Sequence, residues 1–220
     1  MRHLVEELER LKATLLEMGG LVESSIQRSV QAVTQKDRGA ANEVLHHEVR
    51  INALDREVDD FAVKLLALHQ PMAVDLRLIV ATLKINTDLE RMGDLAENIA
   101  RRAIALMERP PIKPLIDIPL MAELVQSMVR KALDAFVTRD PALARSVLAS
   151  DDAVDSLRIA CHHELTRFME QSPSNIKDGL ALGSIARNLE RIADHATNIA
   201  EDVLFLVKGI DVRHHAEKAK

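Results

Sequence analysis

The sequence repeats itself at an interval of 100 positions. The segment Asp88–Asp94 returns as Asn188–Asp194, with its Leu, Glu, Arg and final Asp in the same places. Asn98–Ala100 returns unchanged as Asn198–Ala200, and with small gaps each copy extends to roughly half the chain. A chain built in this way should fold as two similar units. An acidic segment that is present in both copies is typical of a paired site.

Apolar residues follow the helical period. Between Leu4 and Val33 they recur every three or four residues, and no alternating pattern of comparable length is present. The only aromatic residues are four Phe, so Leu, Ile, Val, Ala and Met must form the core. With 220 residues and 47% apolar side chains, the chain is long enough to bury a substantial core. We therefore predict an all-α protein.

Asp and Pro residues divide each copy into three predicted helices. Their ends are expected near Gln35, Pro71, Glu108, Arg139, Gln171 and Val207, and the helix starts near Asp37, Ala73, Asp140-Pro141 and Ser172-Pro173. Helices of about 30 residues are about 45 Å long and, joined by short turns, pack as antiparallel bundles. The predicted fold is two tandem, pseudo-repeated three-helix bundles.

The predicted domain boundaries follow from this division. Residues 1–109 form the first bundle and residues 120–208 the second. Between them, Pro110, Pro111, Pro114 and Pro119 indicate a semi-rigid linker over residues 110–119. Residues 209–220 are a charged tail.

Charge and hydropathy exclude several classes of protein. The formal net charge of −5, with both signs interspersed, argues against non-specific binding to nucleic acid or to an anionic membrane. No apolar run approaches the ~20 residues of a membrane span, and charged residues follow Met1 directly. The lone Cys161 cannot form an internal disulfide, which fits a reducing compartment. We expect a cytoplasmic protein.

Acidic residues share one face of the third predicted helix. Glu90, Asp94 and Glu97 step by four and three residues, and the same face carries Leu83 and Ile79 in earlier turns. The acids thus continue a packed seam, where a group of carboxylates needs a counter-charge or a metal ion. An ordinary solvated acidic face remains the alternative. Oxygen ligands suit Mg, Mn, Fe or Zn, so the sequence leaves the identity of a divalent metal open.

The predicted metal ligands come from both copies. The principal residues are Glu90, Asp94, Glu190 and Asp194, and further oxygens could come from Glu97, Asp55, Asp59, Asp155 and Glu201. The second predicted helix corresponds to the fifth, since Ile51–Leu54 aligns with Val154–Leu157. His195 follows Asp194 directly and points about 100° away, so it would need a second helix to join the same site.

No catalytic machinery is visible. The chain has no Ser-His-Asp elbow, no Gly-rich phosphate loop and no Cys-x-x-Cys, so we predict a protein that is not an enzyme. Di-iron carboxylate bundles use two Glu-x-x-His pairs, whereas only Glu43–His46 has that spacing here. A carboxylate-bundle metalloenzyme or metal-storage protein remains the first alternative function. A structural helical adaptor without metal is the second.

In its motifs and their order, the sequence resembles the PhoU family. The resemblance rests on Leu-Glu-Arg-x-x-Asp in both third helices, on Gln70-Pro71 followed by Asp75–Arg77, and on the repeated Asn98–Ala100. It implies a cytoplasmic, commonly dimeric accessory protein of the high-affinity phosphate transporter. Such a protein represses the phosphate-starvation response by contacting the transporter ATPase and a sensor histidine kinase, and it meets the membrane only through its partners.

The resemblance also implies site residues. The E(D)xxxD motifs of the family bind metal in some members, a role that would fall here on Glu90, Asp94, Glu190 and Asp194, with Asn98 and Asn198 as supports. The second copy has Asn188 in place of Asp88 and Thr197 in place of Glu97, so the two copies are not expected to be equivalent. Asp75–Arg77 becomes Asn175–Lys177, which limits a partner-binding role of Arg77 to the first copy.

Overall fold

The computed structural model of the chain describes residues 2–109 and 117–209. These ranges contain α-helices, one short 3₁₀ turn at Pro173–Asn175 and no strand. The helices are α1 (Arg2–Gln35), α2 (Arg38–His69), α3 (Ala73–Met107), α4 (Asp117–Thr138), α5 (Pro141–Leu148), α6 (Asp151–Gln171) and α7 (Ile176–Lys208). The predicted all-α class is confirmed.

The predicted capping residues define the helix starts. Asp37 Oδ1 accepts a hydrogen bond of 3.0 Å from the Ala40 amide at the start of α2. Asp140 Oδ1 accepts from the amides of Ala142 and Leu143, at 2.7 and 3.2 Å, with Pro141 in the first turn of α5. At the end of α2, Gln70 adopts the left-handed conformation before Pro71.

The predicted fifth helix is two helices in the structure. It ends at Leu148 and begins again at Asp151 as α6. The Ser150 hydroxyl donates to the Ser146 carbonyl, and such a bond to the preceding turn bends helices. Asp151 and Asp152 then lie in the first turn of α6, where the helix dipole favours negative charge. The helical spacing of apolar residues continues across the break because α5 and α6 both pack on α7.

The start of α4 differs from the prediction. The helix begins at Asp117, so Pro119 lies in its first turn and not in the linker, because the amide that proline lacks has no helical acceptor there. Pro110, Pro111 and Pro114 lie outside the described residues. So do residues 210–220 of the predicted tail.

The two repeats pack on one another along α3 and α7. Within the first repeat α1, α2 and α3 are mutually in contact, and in the second α4, α5 and α6 surround α7. Contacts between α3 and α7 and between α1 and α4 join the repeats, and the buried apolar residues form one continuous cluster. This packing places the two acid-bearing helices side by side and antiparallel.

Ion pairs between the repeats lie near opposite ends of α7. Lys84 Nζ on α3 is 2.9 Å from Oδ1 of the buried Asp202, which lies in the last two turns of α7. At the other end, Arg109 forms an ion pair with the buried Asp178 in the first turn of α7. These contacts fix the register of α3 against α7.

Among residues 2–109 and 117–209, no helix is long and apolar enough to cross a membrane.

Candidate functional site

Six carboxylates form the first acidic cluster, between α2 and α3. Glu48, Asp55 and Asp59 lie on α2, and Glu90, Asp94 and Glu97 lie on α3. Burial raises the pKa of Glu90, and the nearby Asp94 and Asp55 carboxylates raise it further. Burial and then Asp59 raise the pKa of Asp55 in the same way. The structure thus brings the predicted residues of the first repeat together, and the charged forms of Glu90 and Asp55 are disfavoured there.

Two amide side chains organise the α2 carboxylates. Asn86 Nδ2 donates to Asp55 Oδ1 at 2.7 Å and to Asp59 Oδ1 at 3.1 Å, and it also reaches the Asp55 carbonyl. Asn52 Nδ2 donates to Glu48 Oε1 at 2.8 Å. The amides hold the carboxylates in place without supplying a positive charge.

Two oxygen atoms in this cluster have no donor. Glu48 is only 8% exposed and its Oε2 has no hydrogen-bond partner, while Asn86 is completely buried and its Oδ1 has none. A Cβ added to Gly93 on α3 would lie 3.3 Å from Glu48 Oε2, which indicates that this oxygen faces α3 closely. Burial, followed by the charge of Asp94, raises the pKa of Glu48 from 4.5 to about 7. Such buried acceptors are costly unless a cation or a proton satisfies them.

The raised pKa of Glu48 predicts a pH-dependent stability. Folded Glu48 binds its proton more tightly than in the unfolded chain, so stability falls as pH rises from about 4.5 towards about 7. Glu48→Gln removes this effect. With a metal chelator present, the free energy of unfolding of the variant relative to the parent should rise by about 1 to 2 kcal/mol from pH 5 to pH 8, after allowance for screening by water. Urea unfolding at both pH values measures it, and a constant difference would contradict the prediction.

The second acidic cluster has the corresponding position between α6 and α7. It comprises Asp151 and Asp155 on α6 and Glu190 and Asp194 on α7. Burial raises the pKa of Asp194, and Asp155 adds to the effect. Burial and the charges of Asp194 and Asp155 likewise raise the pKa of Asp151. The predicted residues of the second repeat are therefore also assembled, together with Asp151.

Arg158 is a cation inside the second acidic cluster. Its Nε lies 2.7 Å from Glu190 Oε1. The pKa of Glu190 is raised by burial, and Arg158 is the largest influence that opposes this rise. A guanidinium remains protonated at all physiological pH values, so Arg158 is a permanent counter-ion.

His195 lies near both clusters, but its hydrogen-bond partner Asp88 belongs to neither. Its Nδ1 lies 2.7 Å from Asp88 Oδ1 on α3, and Asn198 Nδ2 donates to the same oxygen at 3.1 Å. His195 therefore contacts α3 and does not bond to the carboxylates of the second cluster. The positive form of His195 would lower the pKa of both Glu90 and Asp194.

The remaining predicted residues lie around these clusters. Glu97 pairs with Arg101 at 2.7 Å and adds to the raised pKa of Glu48. Glu201 is half-buried and follows Asp194 by seven residues, about 10 Å further along α7. Arg77 is half-buried beside Gly209, at the end of α7, where the helix dipole favours a cation.

Sequence reasoning missed Glu48, the most perturbed carboxyl of the first cluster, and Arg158. A signal for both was present. Glu48 corresponds to Asp151 when Ile51–Leu54 is aligned with Val154–Leu157, and the same alignment places Arg158 at the position of Asp55. Glu48 also lies four residues after Val44 and three before Ile51, so the apolar period of α2 places it on the buried face.

The donor set of the first cluster fits a hard divalent cation. It consists only of carboxylate and amide oxygens, and two of these oxygens are buried without a donor. In the part of the chain that the structure describes, no three His, Cys, Asp or Glu side chains are already arranged to hold a metal ion. Binding would therefore require side chains such as Glu48, Glu90 and Asp94 to rotate towards one another.

The Glu43–His46 pair does not face this cluster. Glu43 pairs with Arg28 of α1 at 3.0 Å, and the exposed His46 bonds through Nδ1 to the Asn42 carbonyl. The pair is engaged elsewhere, so the structure gives no support to a di-iron centre built on it.

Known proteins resemble the chain over nearly its whole length. The family model of the PhoU domain matches residues 15–103 and 118–203. The phosphate-specific transport system accessory protein PhoU homolog of Aquifex aeolicus is 41% identical over 99% of this chain and 98% of its own length. The crystal structure of PhoU from Pseudomonas aeruginosa has a TM-score of 0.91 and 42% identity, covering 93% of this chain and 99% of that one.

A second solved structure has the same fold at lower identity. The phosphate transport system regulatory protein PhoU from Streptococcus pneumoniae has a TM-score of 0.86 and 29% identity, covering 95% of this chain and 99% of that chain. These are names of accessory and regulatory proteins and not of enzymes, in agreement with the prediction from the sequence.

Proposed function

Because this chain belongs to the PhoU family, we propose that it is an accessory protein of a phosphate-specific transport system that represses the phosphate-starvation response. The observation that carries the proposal is the match of the PhoU domain to both repeats. The protein acts in the cytoplasm as a homodimer. It links the transporter ATPase to a sensor histidine kinase by presenting helical surfaces to both.

The turn between α2 and α3 is the surface that we assign to a partner. Leu68 and Met72 are 74% and 80% exposed there, and Leu76 is also exposed. Apolar side chains gathered at one end of a protein are typical of a contact surface. Arg77 follows Leu76 directly but points about 100° away and lies beside Gly209, so its role in partner binding stays a prediction.

Divalent metal at the first acidic cluster is the second part of the proposal. Glu90 and Asp94 would hold the cation in the first repeat together with Glu48, whereas in the second repeat Glu190 is already paired with Arg158. Bound there, a divalent cation would supply positive charge to the carboxylates that α2 and α3 bring together. The buried oxygens without a donor support this assignment.

A complementation experiment tests the regulatory function. In a strain without its own copy of the gene, the chain should restore repression of a phosphate-starvation reporter at high phosphate. Met72→Asp and Leu68→Asp together should abolish repression and co-purification with the transporter ATPase, because charges would be placed on the contact surface. Val49→Asp is the matched control, since Val49 is 72% exposed on α2 but about 30 Å from the turn. Full repression by the double variant would remove this surface from the mechanism.

A further inference from the structure

The two acidic clusters share part of their charge pattern. The two acids of α3, Glu90 and Asp94, return as the same residue types at positions 190 and 194 of α7. Glu48 near the middle of α2 corresponds to Asp151 at the start of α6, so this carboxylate is also present in both repeats. Three carboxylates are therefore common to the two clusters.

The other equivalent positions differ in charge. In the first repeat they carry Asp55, Asp59 and Glu97, whereas the second repeat has a guanidinium, an imidazole and a hydroxyl there, those of Arg158, His162 and Thr197. One position differs in the opposite direction: the neutral Asn52 of the first repeat corresponds to the acidic Asp155 of the second. At these equivalent positions the first cluster thus has six carboxylates and the second has four, and the second has Arg158 where the first has Asp55.

Arg158 occupies the part of the second cluster where the first cluster has Asp55. Its side chain is 37% exposed and lines a cavity of about 40 Å³, together with His162, Gly183, Ala186 and Arg187. Ala186 and Arg187 correspond to Asn86 and Thr87. The second repeat therefore lacks the Asn86 amide that binds two carboxylates in the first. The positively charged side chains of Arg158 and Arg187 lie there instead.

The arginines beside the first cluster are not equivalent to Arg158. Arg101 lies 2.7 Å from Glu97 but is 61% exposed. Arg91 lies 3.4 Å from Glu90 and 3.6 Å from Asp94, but it is 56% exposed and the second repeat has the corresponding Arg191. Arg91 therefore does not account for the difference between the repeats. The two buried cluster oxygens without a donor, Glu48 Oε2 and Asn86 Oδ1, both belong to the first cluster.

We propose that Arg158 takes the place of a metal ion in the second repeat, so that the first repeat alone binds a divalent cation. This inference rests on the proposed metal binding. A guanidinium paired with Glu190 neutralises one carboxylate and repels a second cation from the same space. The second cluster is then a permanent structural contact between α6 and α7, and only the first cluster responds to metal.

Isothermal titration of chelator-treated protein with Mn²⁺ tests the proposal. The parent should bind one Mn²⁺ per chain, and Glu90→Gln with Asp94→Asn should abolish binding. Glu190→Gln with Asp194→Asn should leave it unchanged. Arg158→Gln should create a second site, whereas Arg167→Gln, which removes the same charge about 13 Å further along α6, should not.

Other outcomes separate this inference from the metal proposal. Two equal sites in the parent, or one site in folded Arg158→Gln, would overturn the role of Arg158 while metal binding stands. No binding by any variant would overturn both. A site that appears only in Arg158→Gln would overturn metal binding by the first repeat and leave Arg158 as the counter-ion of the second. Circular dichroism of each variant establishes that it is folded.

Discussion

Replacing Arg109 with Ala should lower the free energy of unfolding by about 2 to 4 kcal/mol. Arg109 extends from the end of α3 to Asp178 in the first turn of α7, and the Asp178 side chain is only 10% exposed. Without the guanidinium, a poorly hydrated carboxylate remains buried without its counter-ion. The α7 dipole compensates only in part. Urea unfolding at neutral pH measures the loss.

Arg101→Ala is the matched control for this prediction. Arg101 also forms an ion pair from α3, with Glu97, but its side chain is 61% exposed. An exposed pair of this kind contributes about 0.5 kcal/mol. Combining Arg109→Ala with Asp178→Asn should recover part of the stability, because the buried charge is removed. Equal losses from Arg109→Ala and Arg101→Ala would contradict a stabilising buried ion pair between the repeats.

Replacing Phe136 with Ala should lower the free energy of unfolding by about 3 to 5 kcal/mol. Phe136 on α4 is 1% exposed and is among the largest fully buried side chains of the described residues. Protein interiors are close-packed, so the helices cannot close the space that the ring leaves. The variant therefore loses both the free energy of burying the ring and the contacts around the cavity. Urea unfolding of the variant beside the parent measures the difference.

Val137→Ala is the control for truncating a side chain to Ala at the neighbouring, exposed position of α4. Val137 follows Phe136 directly but is 38% exposed, so its replacement should change the unfolding free energy by less than about 0.5 kcal/mol. A loss below about 1 kcal/mol for Phe136→Ala would indicate that α4 relaxes into the cavity, contrary to a close-packed core.

Local patterns in the sequence predicted most of the helices. Asp37 and Asp140 cap α2 and α5 as expected, because an N-cap depends only on the few residues that follow it. The break between α5 and α6 was not predicted. A turn at Ser150 separates the two helices there. The spacing of apolar residues that pack against α7 continues across this turn, so it does not indicate the break.

The site was predicted only in part. The spacing of Glu90 and Asp94 placed both acids on one face of α3, and the repeat did the same for Glu190 and Asp194. The contribution of Glu48 and the position of Arg158 were not predicted. What these two side chains contact depends on how α2 packs against α3 and α6 against α7, which the spacing within one helix does not contain.

The sequence by itself determined the helical class and the acidic faces of α3 and α7, because each depends on the period of a single helix. It also determined the duplication, because the two copies can be compared residue by residue. The tertiary structure alone decided what those faces meet. It buried Glu48 and Asn86 beside the acids of one repeat, placed Arg158 against Glu190 in the other and brought His195 to Asp88. The physical reason is that charge compensation requires contacts of a few ångström between different helices, and only their packing sets those distances.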